Sequence, residues 1–279
     1  MESKKQNYKN ILTVVFSIIS LIYIFPIVLV VINSLKKKTS ISLRPFALPD
    51  AKSFVGLDNY INGIQKIEFF KYFGYSLFIT VFSVLAILIF CSMCGWYVTR
   101  VRNVVTKTLK NLFIFSMVVP FQMIMFTLAK TADTLKLNTP VGIVVVYLGF
   151  GAGMAVFMFS NFAKSMPLEI EEAASIDGCN PIQMYFKVIF PIMKPTYVSV
   201  GILEIMWVWN DYLLPYLVLD IKRFKTIPIV IQYLKGGYGS VDMGAIMACI
   251  VLAILPVIII YVLCQKYIIE GVVAGAVKG

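Results

Sequence analysis

Residues 171–195 have the sequence EEAASIDGCNPIQMYFKVIFPIMKP, an acidic segment between two long apolar runs. The chain around it has 279 residues, of which 59% are hydrophobic and 14% are charged, and its mean hydropathy is +0.86. Soluble domains carry roughly 25% charged residues, so this composition is typical of a membrane protein. The segment is therefore a polar interruption in a chain that suits the bilayer, and its role decides how the whole chain is interpreted.

Six apolar runs are long enough to cross a hydrocarbon core about 30 Å thick, which takes about 20 helical residues. The runs are 11–32, 73–98, 111–129, 140–163, 196–219 and 243–265. They are continuous, whereas the strands of outer-membrane barrels alternate apolar and polar residues. The sequence predicts an all-α membrane protein with six transmembrane helices in a single domain, 11–265, flanked by termini 1–10 and 266–279.

The basic residues do not orient the chain. With six spans, both termini lie on the same side as loops 99–110 and 164–195, and the two sides carry nearly equal numbers of Lys and Arg. The positive-inside rule is therefore undecided, mainly because Lys36, Lys37 and Lys38 follow the first span. The net charge of +11 is spread over all loops without aromatic interleaving, which favours lipid headgroups over nucleic acid as the partner.

The first part of loop 164–195 has the signals of a short helix. Ser165 is predicted to cap it, with Pro167 in its opening turn. Three glutamates in the first turns suit the positive end of the backbone dipole. They are Glu169, Glu171 and Glu172. Gly178 is predicted to end this helix in the left-handed conformation.

The second part predicts another short helix, which starts at the Asn180–Pro181 cap, reaches Phe190 and is ended by Pro191 and Pro195. In the first helix, small apolar side chains recur at helical spacing, which allows a partner surface to approach closely. They are Ile170, Ala173 and Ala174. Helices that lie in lipid headgroups are usually basic on their polar face. An acidic helix-turn-helix therefore favours docking onto another protein over an interfacial position.

This segment resembles the EAA signature of the integral membrane subunits of binding-protein-dependent ABC importers. Residues 172–178 match E-A-A-x-x-D-G in full, and residues 188–191 match I-x-L-P with Val and Phe in place of Ile and Leu. The likeness runs along most of the chain and is nearest to the smaller six-helix subunit of maltose-type carbohydrate importers. Its further matches are NSLKKK (33–38), LPDAKSFVGLDNY (48–60), WNDYLLP (209–215) and GVVAGAVKG (271–279).

The resemblance implies a type I ABC importer permease fold, with residues 164–195 as a cytoplasmic coupling helix-turn-helix between the fourth and fifth spans. The protein would lie in a bacterial plasma membrane, with both termini in the cytoplasm. The implied partners are a second permease subunit in a heterodimer, two ATPase subunits that bind ATP and Mg, an extracytoplasmic solute-binding protein and a carbohydrate, an oligosaccharide in particular. This chain would bind no cofactor and catalyse no reaction. The predicted ATPase-coupling residues are Glu171, Glu172, Ala173, Ala174, Asp177, Gly178 and Pro191.

The fifth span contains two carboxylates, Glu204 and Asp211, which are costly in hydrocarbon. Together with Trp207 and Val208 they recur at i, i+3, i+4 and i+7, which predicts one helix stripe. Carboxylates accept hydrogen bonds from sugar hydroxyls, and aromatic rings stack on sugar faces. The substrate-path candidates are Glu204, Trp207, Asn210, Asp211 and Tyr212. Two alternatives stay open: bonds to neighbouring helices or to the partner permease, and an ion-coupled secondary transporter that uses the two carboxylates.

Patterns for catalysis or metal binding are weak. Cys91 and Cys94 form C-x-x-C, but the chain has no histidine and no second cysteine pair, so a zinc site is not predicted. The sequence contains no phosphate-binding glycine loop, and no nucleophile and base are paired. We therefore expect ATP hydrolysis to take place on another chain.

Overall fold

The computed structural model describes the backbone of residues 2–234 and 241–276 and the side chains of residues 8–234 and 241–266. Within these residues every regular element is helical, and the backbone pairing between Lys36 and Phe54 is an isolated β-bridge. The chain divides into two units, one formed by residues 1–70 with 230–255 and the other by residues 71–229 with 256–279. The predicted all-α class is confirmed for the described chain.

The first unit begins with the long helix α1 (Glu2–Ser34), followed by α2 (Lys38–Leu43) and α3 (Asp58–Lys66). Large apolar side chains along α1 are exposed, which suits a helix surrounded by lipid or by other membrane helices. The amide of Asn59 in α3 donates to the backbone carbonyls of Ser34 (2.8 Å) and Lys36 (2.9 Å). These bonds hold the chain just after α1 against α3.

Lys36 explains part of the undecided orientation rule. Its side chain is 1% exposed, and its ammonium donates to the Asn33 side chain (3.1 Å) and the Arg44 carbonyl (3.0 Å). Burial lowers the pKa of this ammonium, and the Asp50 carboxylate partly opposes the shift. The positive-inside rule concerns basic residues that face headgroups, and Lys36 instead organises the loop after α1.

The second unit contains the elements that position the candidate site. The chain enters it near the start of α4 (Phe69–Arg100). The next helices are α5 (Val104–Val118), α6 (Phe121–Thr134) and α7 (Gly142–Ser165), then α8 (Glu169–Ile176) and α9 (Pro181–Met184), a π-helical turn (Tyr185–Ile189), α10 (Phe190–Ile192), α11 (Lys194–Asn210) and α12 (Leu213–Val218). Like α4, two later helices contain a boundary between the units, α13 (Ile227–Tyr233) and α14 (Met243–Ala276).

Four helices of the described chain are long and apolar enough to cross a membrane, and up to six spans result if each of two bent pairs is one span. The four helices correspond to the predicted first, second, fourth and sixth spans. The predicted third span is divided into α5 and α6, which meet at 110°. Pro120 explains this break, because it holds Val119 in an extended conformation (ψ 115°) and cannot donate a backbone hydrogen bond.

The second bent pair joins residues 181–192 to α11 at 77°. The predicted fifth span, 196–219, is divided at its other end, since α11 ends at Asn210 and α12 begins at Leu213. Asp211 between them is extended (φ −72°, ψ 125°). In the predicted tail, 266–279, the backbone of α14 continues to Ala276. The last three residues, and the side chains from 267 onward, lie outside the described residues.

Glycines allow α4 and α5 to approach α7 closely. A Cβ atom on Gly95 of α4 would lie 2.8 Å from the Cβ of Phe159 and 3.0 Å from the backbone nitrogen of Ser160. On Gly153 of α7, it would lie 3.0 Å from the carbonyl oxygen of Phe113 in α5. Such contacts are typical of packing between membrane helices, where small residues replace the bulk of a soluble core.

Candidate functional site

The predicted coupling loop begins differently from the prediction. Ser165 is the last residue of α7, and its hydroxyl donates to the Phe162 carbonyl (2.8 Å), so the predicted cap is wrong. Helix α8 begins at Glu169, after Leu168 and without a side-chain cap. The acidic first turn is confirmed and stabilises this start through the helix dipole.

The turn between α8 and α9 agrees with the prediction. Gly178 has φ +81°, a conformation that costs other residues about 1 kcal/mol or more. Asn180 and Gln183 form a reciprocal capping box, in which the Asn180 side chain accepts from the Gln183 backbone (2.8 Å) and the Gln183 side chain accepts from the Asn180 backbone (3.1 Å). The helix-turn-helix is therefore locally specified.

The sequence predicted that Pro191 ends the second helix of the loop, but the helix continues past it. Helical structure continues from Pro181 through the π-helical turn to Ile192, and Pro191 lies in the first turn of the short α10. Proline has no backbone N–H to donate within a continuing helix, and here it directly follows the wider π-helical turn at the start of α10. The chain then bends by 77° into α11, where Pro195 again lies in the first turn.

The predicted coupling residues divide into two groups. Exposed residues are Glu172, Ala173, Asp177, Gly178 and Pro191. Glu171 and Ala174 are instead buried against the rest of the unit, at 9% and 7% exposure. The exposed surface also includes Ile176 (86%) and Ile182 (67%). Apolar side chains beside carboxylates form a surface that suits a protein partner.

Glu171 is tied to α4. Its carboxylate accepts from Arg100 Nε (2.7 Å) and from Trp96 Nε1 (3.2 Å), and Arg100 also donates through Nη2 to the Met166 carbonyl (3.2 Å). The Arg100 and Glu171 side chains are 16% and 11% exposed. The pair therefore lies within this chain, where charge-assisted hydrogen bonds are strong.

A second polar link joins the loop to α4 and α11. The hydroxyls of Ser92, Tyr185 and Tyr197 form a triangle, with oxygen separations of 2.5 Å from Tyr185 to each of the others and 2.6 Å between Tyr197 and Ser92. Ser92 and Tyr185 are fully buried. The sequence prediction did not include Ser92, Trp96 or Arg100, although their spacing of four in an apolar span could have indicated one polar face of α4.

In α11 the predicted stripe does not form one surface. Glu204 and Val208 are buried, whereas Trp207 and Asn210 are exposed. The Glu204 side chain is fully buried, and neither of its carboxylate oxygens has a hydrogen-bond partner among the described residues. A Cβ atom on Gly151 would lie 3.1 Å from Glu204 Oε2, so the carboxylate packs against α7.

Asp211 lies at the break after α11 and is well supported. Its carboxylate accepts from the Tyr147 hydroxyl (3.1 Å) and from the backbone of Leu213 (3.0 Å). Tyr147 also packs edge-to-face on Trp207, with ring centroids 5.4 Å apart, and Tyr212 stacks on Tyr216 at 5.3 Å. Asp211 therefore caps the start of α12 and holds the aromatic cluster at the end of α11.

Comparison with known proteins decides between the importer permease and the secondary transporter. Residues 88–273 match the family described as "Binding-protein-dependent transport system inner membrane component". The chain belongs to this family. It is therefore a membrane permease of a binding-protein-dependent transport system, which confirms the resemblance seen in the EAA segment. Members of this family are transport subunits rather than enzymes, as the sequence predicted.

Relatives in this permease family match over nearly the whole chain. A "Probable starch degradation products transport system permease protein AmyC" of Thermoanaerobacterium thermosulfurigenes is 37% identical over 97% of each chain. An "Arabinooligosaccharides transport system permease protein AraQ" of Bacillus subtilis is 32% identical, over 98% of this chain and 96% of its own. The shared length supports a common fold along the entire permease.

A solved permease has the same fold. A chain in the crystal structure of a bacterial ABC transporter involved in the import of the acidic polysaccharide alginate matches with a TM-score of 0.73 and 23% identity. The match covers 95% of this chain and 97% of that one. The predicted ABC importer permease fold is thereby confirmed.

Proposed function

We propose that this permease forms half of the translocation pore of an ATP-driven importer for a carbohydrate, in particular an oligosaccharide. A second permease subunit completes the pore as a heterodimer, and an extracytoplasmic binding protein delivers the substrate. Two cytoplasmic ATPase subunits bind ATP and Mg and drive the cycle. The names of relatives that carry starch degradation products and arabinooligosaccharides support the substrate class.

The observation that carries this proposal is that the coupling segment, residues 164–195, has one buried face and one exposed face. Glu172, Ala173 and Asp177 are exposed beside the apolar Ile176, while Glu171 and Ala174 hold the segment to its own chain. A short helical segment that is packed against its own chain on one side and exposed on the other can transmit the movement of a bound partner. We assign the exposed face to the ATPase, and in this proposal loop 164–195 and both termini lie in the cytoplasm of a bacterial cell.

The substrate path is assigned to the end of α11. Trp207 and Asn210 are exposed, and Tyr147, whose hydroxyl donates to Asp211, packs against the Trp207 ring. An exposed indole beside an amide suits a sugar. The apolar face of the sugar can stack on the indole ring, and the sugar hydroxyls can form hydrogen bonds with the amide. Glu204 is buried behind this surface and does not contact substrate in the proposal.

The decisive experiment is co-purification followed by reconstitution in lipid vesicles. The permease should extract together with a second permease and an ATPase, and ATP should drive uptake of a labelled oligosaccharide when the binding protein is present. Stimulation of ATPase activity by a panel of sugars then identifies the substrate. Uptake driven by a proton gradient with this chain alone would overturn the proposal.

Gly178→Asp tests the coupling segment within the same system. The substitution places a side chain where φ is +81° and adds charge to the exposed face. We expect ATP-driven uptake to be abolished while the permease remains in the membrane. Gly178→Asn is the matched control, because asparagine has nearly the same shape as aspartate and tolerates a positive φ but carries no charge.

A further inference from the structure

Three side chains of α4 hold the coupling segment, and they recur at a spacing of four. They are Ser92, Trp96 and Arg100. Residues four apart lie one above another on a helix, so the three form a single polar face that runs toward the end of α4. This face lies in a span whose neighbouring positions are mostly apolar. Its polar groups are used for contacts with the coupling segment.

The charged end of this face holds α8 and the chain that leads into it. Arg100 contacts both Glu171 in α8 and the carbonyl of Met166 before α8. The second carboxylate oxygen of Glu171 is bound by Trp96, so both oxygens are used by α4. The Glu171 side chain is 11% exposed, so these two hydrogen bonds are largely shielded from water.

The hydroxyl end of the face holds the π-helical turn. Tyr185 bonds to Ser92 of α4 and to Tyr197 of α11, and its ring packs against Trp96 with centroids 5.8 Å apart. We call the Arg100–Glu171 pair and the Ser92–Tyr185 bond the two anchors of the coupling segment. Trp96 contacts both, Glu171 through its indole nitrogen and Tyr185 through its ring. The two anchors form a continuous contact from the middle of α4 to its end.

We propose that α4 is the membrane helix that receives the movement of the coupling segment, through Ser92, Trp96 and Arg100. The proposal rests on the proposed function and adds the route by which the ATPase moves the pore. Separating the coupling segment from α4 leaves the Glu171 carboxylate and the largely buried Arg100 without each other and breaks the Ser92–Tyr185 bond, which is costly. Movement of the coupling segment therefore carries α4 with it as a rigid body. Glu171 is in this account a positioning residue, not an ATPase contact.

The test uses the complete complex with its binding protein and a transported sugar. In Glu171→Gln, the complex should assemble, but the ratio of sugar-stimulated to basal ATPase activity should fall by about tenfold, a magnitude typical of lost coupling between sites. Exchange of backbone hydrogen in residues 169–176 should rise. The reversed pair, Glu171→Arg with Arg100→Glu, restores the ion pair but leaves Trp96 Nε1 without its acceptor, so it should recover part of the ratio lost in each single variant.

Glu169→Gln is the matched control, since Glu169 lies in the same turn and is exposed. Should the charge variants fail to assemble, Tyr185→Phe removes one hydroxyl from the other anchor and should lower the same ratio. Wild-type ratios in Glu171→Gln or in Tyr185→Phe, or an assembled reversed pair without recovery, would overturn the proposal. If the wild-type complex shows no sugar-stimulated activity, the proposed function fails instead.

Discussion

Glu171 and Glu204 are both buried glutamates of the same unit, but their surroundings differ. Glu171 is 9% exposed and is bound by an arginine and a tryptophan, whereas Glu204 is fully buried and has no hydrogen-bond partner among the described residues. A buried carboxylate with partners fixes the position of its helix, and one without partners lowers stability. Burial alone therefore does not show whether a carboxylate positions its helix, whereas its hydrogen-bond partners do.

The largest effect is expected from breaking the paired site. Glu171→Leu leaves the Arg100 charge largely buried without its carboxylate, and removal of one partner of a buried pair costs about 3 kcal/mol. We expect a clear drop in the melting temperature of the detergent-solubilised permease. An unchanged melting temperature would mean that solvent or lipid replaces the carboxylate.

The opposite effect is expected from Glu204→Leu. Leucine has a similar volume and needs no hydrogen bonds, so replacing an unpaired buried carboxylate should raise stability by about 2 kcal/mol. The same melting experiment measures the gain, and uptake by the reconstituted complex should persist. A loss of stability would show that Glu204 has a hydrogen-bond partner within the permease and would remove the contrast with Glu171.

The space around Glu204 gives a third test. Gly151→Ala places a Cβ atom 2.5 Å from Ile87 Cδ1 and 3.1 Å from Glu204 Oε2, so overpacking should cost about 1–2 kcal/mol. Gly149→Ala lies in the same helix with open space around its Cβ, and should be neutral or slightly stabilising. Thermal unfolding of both variants measures the difference. Equal effects in the two variants would contradict tight packing at Glu204.

The smallest effect concerns the turn that follows α8. Gly178→Ala should cost about 1 kcal/mol because of the positive φ, since open space surrounds the new methyl group. Gly178→Asn should cost less, because asparagine tolerates this conformation better than alanine. The order of the two melting temperatures is the measurement. If alanine is tolerated better than asparagine, the strain account is wrong.

Local signals in the sequence predicted much of the coupling segment. The acidic first turn, the positive φ of Gly178 and the Asn180–Pro181 start all follow from short-range preferences, and each is found in the structure. The apolar runs likewise predicted four intact helices. Ser165 failed as a cap because α7 continues to it, which the apolar pattern could not indicate.

Contacts between distant residues could not be predicted in this way. The pairing of Glu171 with Arg100 joins residues far apart in sequence, and periodicity carries no information on which helix faces meet. The α11 stripe was predicted from a straight helix, yet the chain is extended at Asp211, and this residue leaves the face that Glu204 occupies. The break at Pro120 was open to prediction, because the residue before a proline is disfavoured in a helix.

The π-helical turn at Tyr185–Ile189 sets which residues of α10 face the rest of the unit. Such a turn holds one more residue than an α-helical turn, because its backbone hydrogen bonds join residues five apart instead of four. Tyr185 and Ile189 are both buried in this wider turn. If the same residues formed an α-helix, every later position of α10 would be rotated about the helix axis by about 100°.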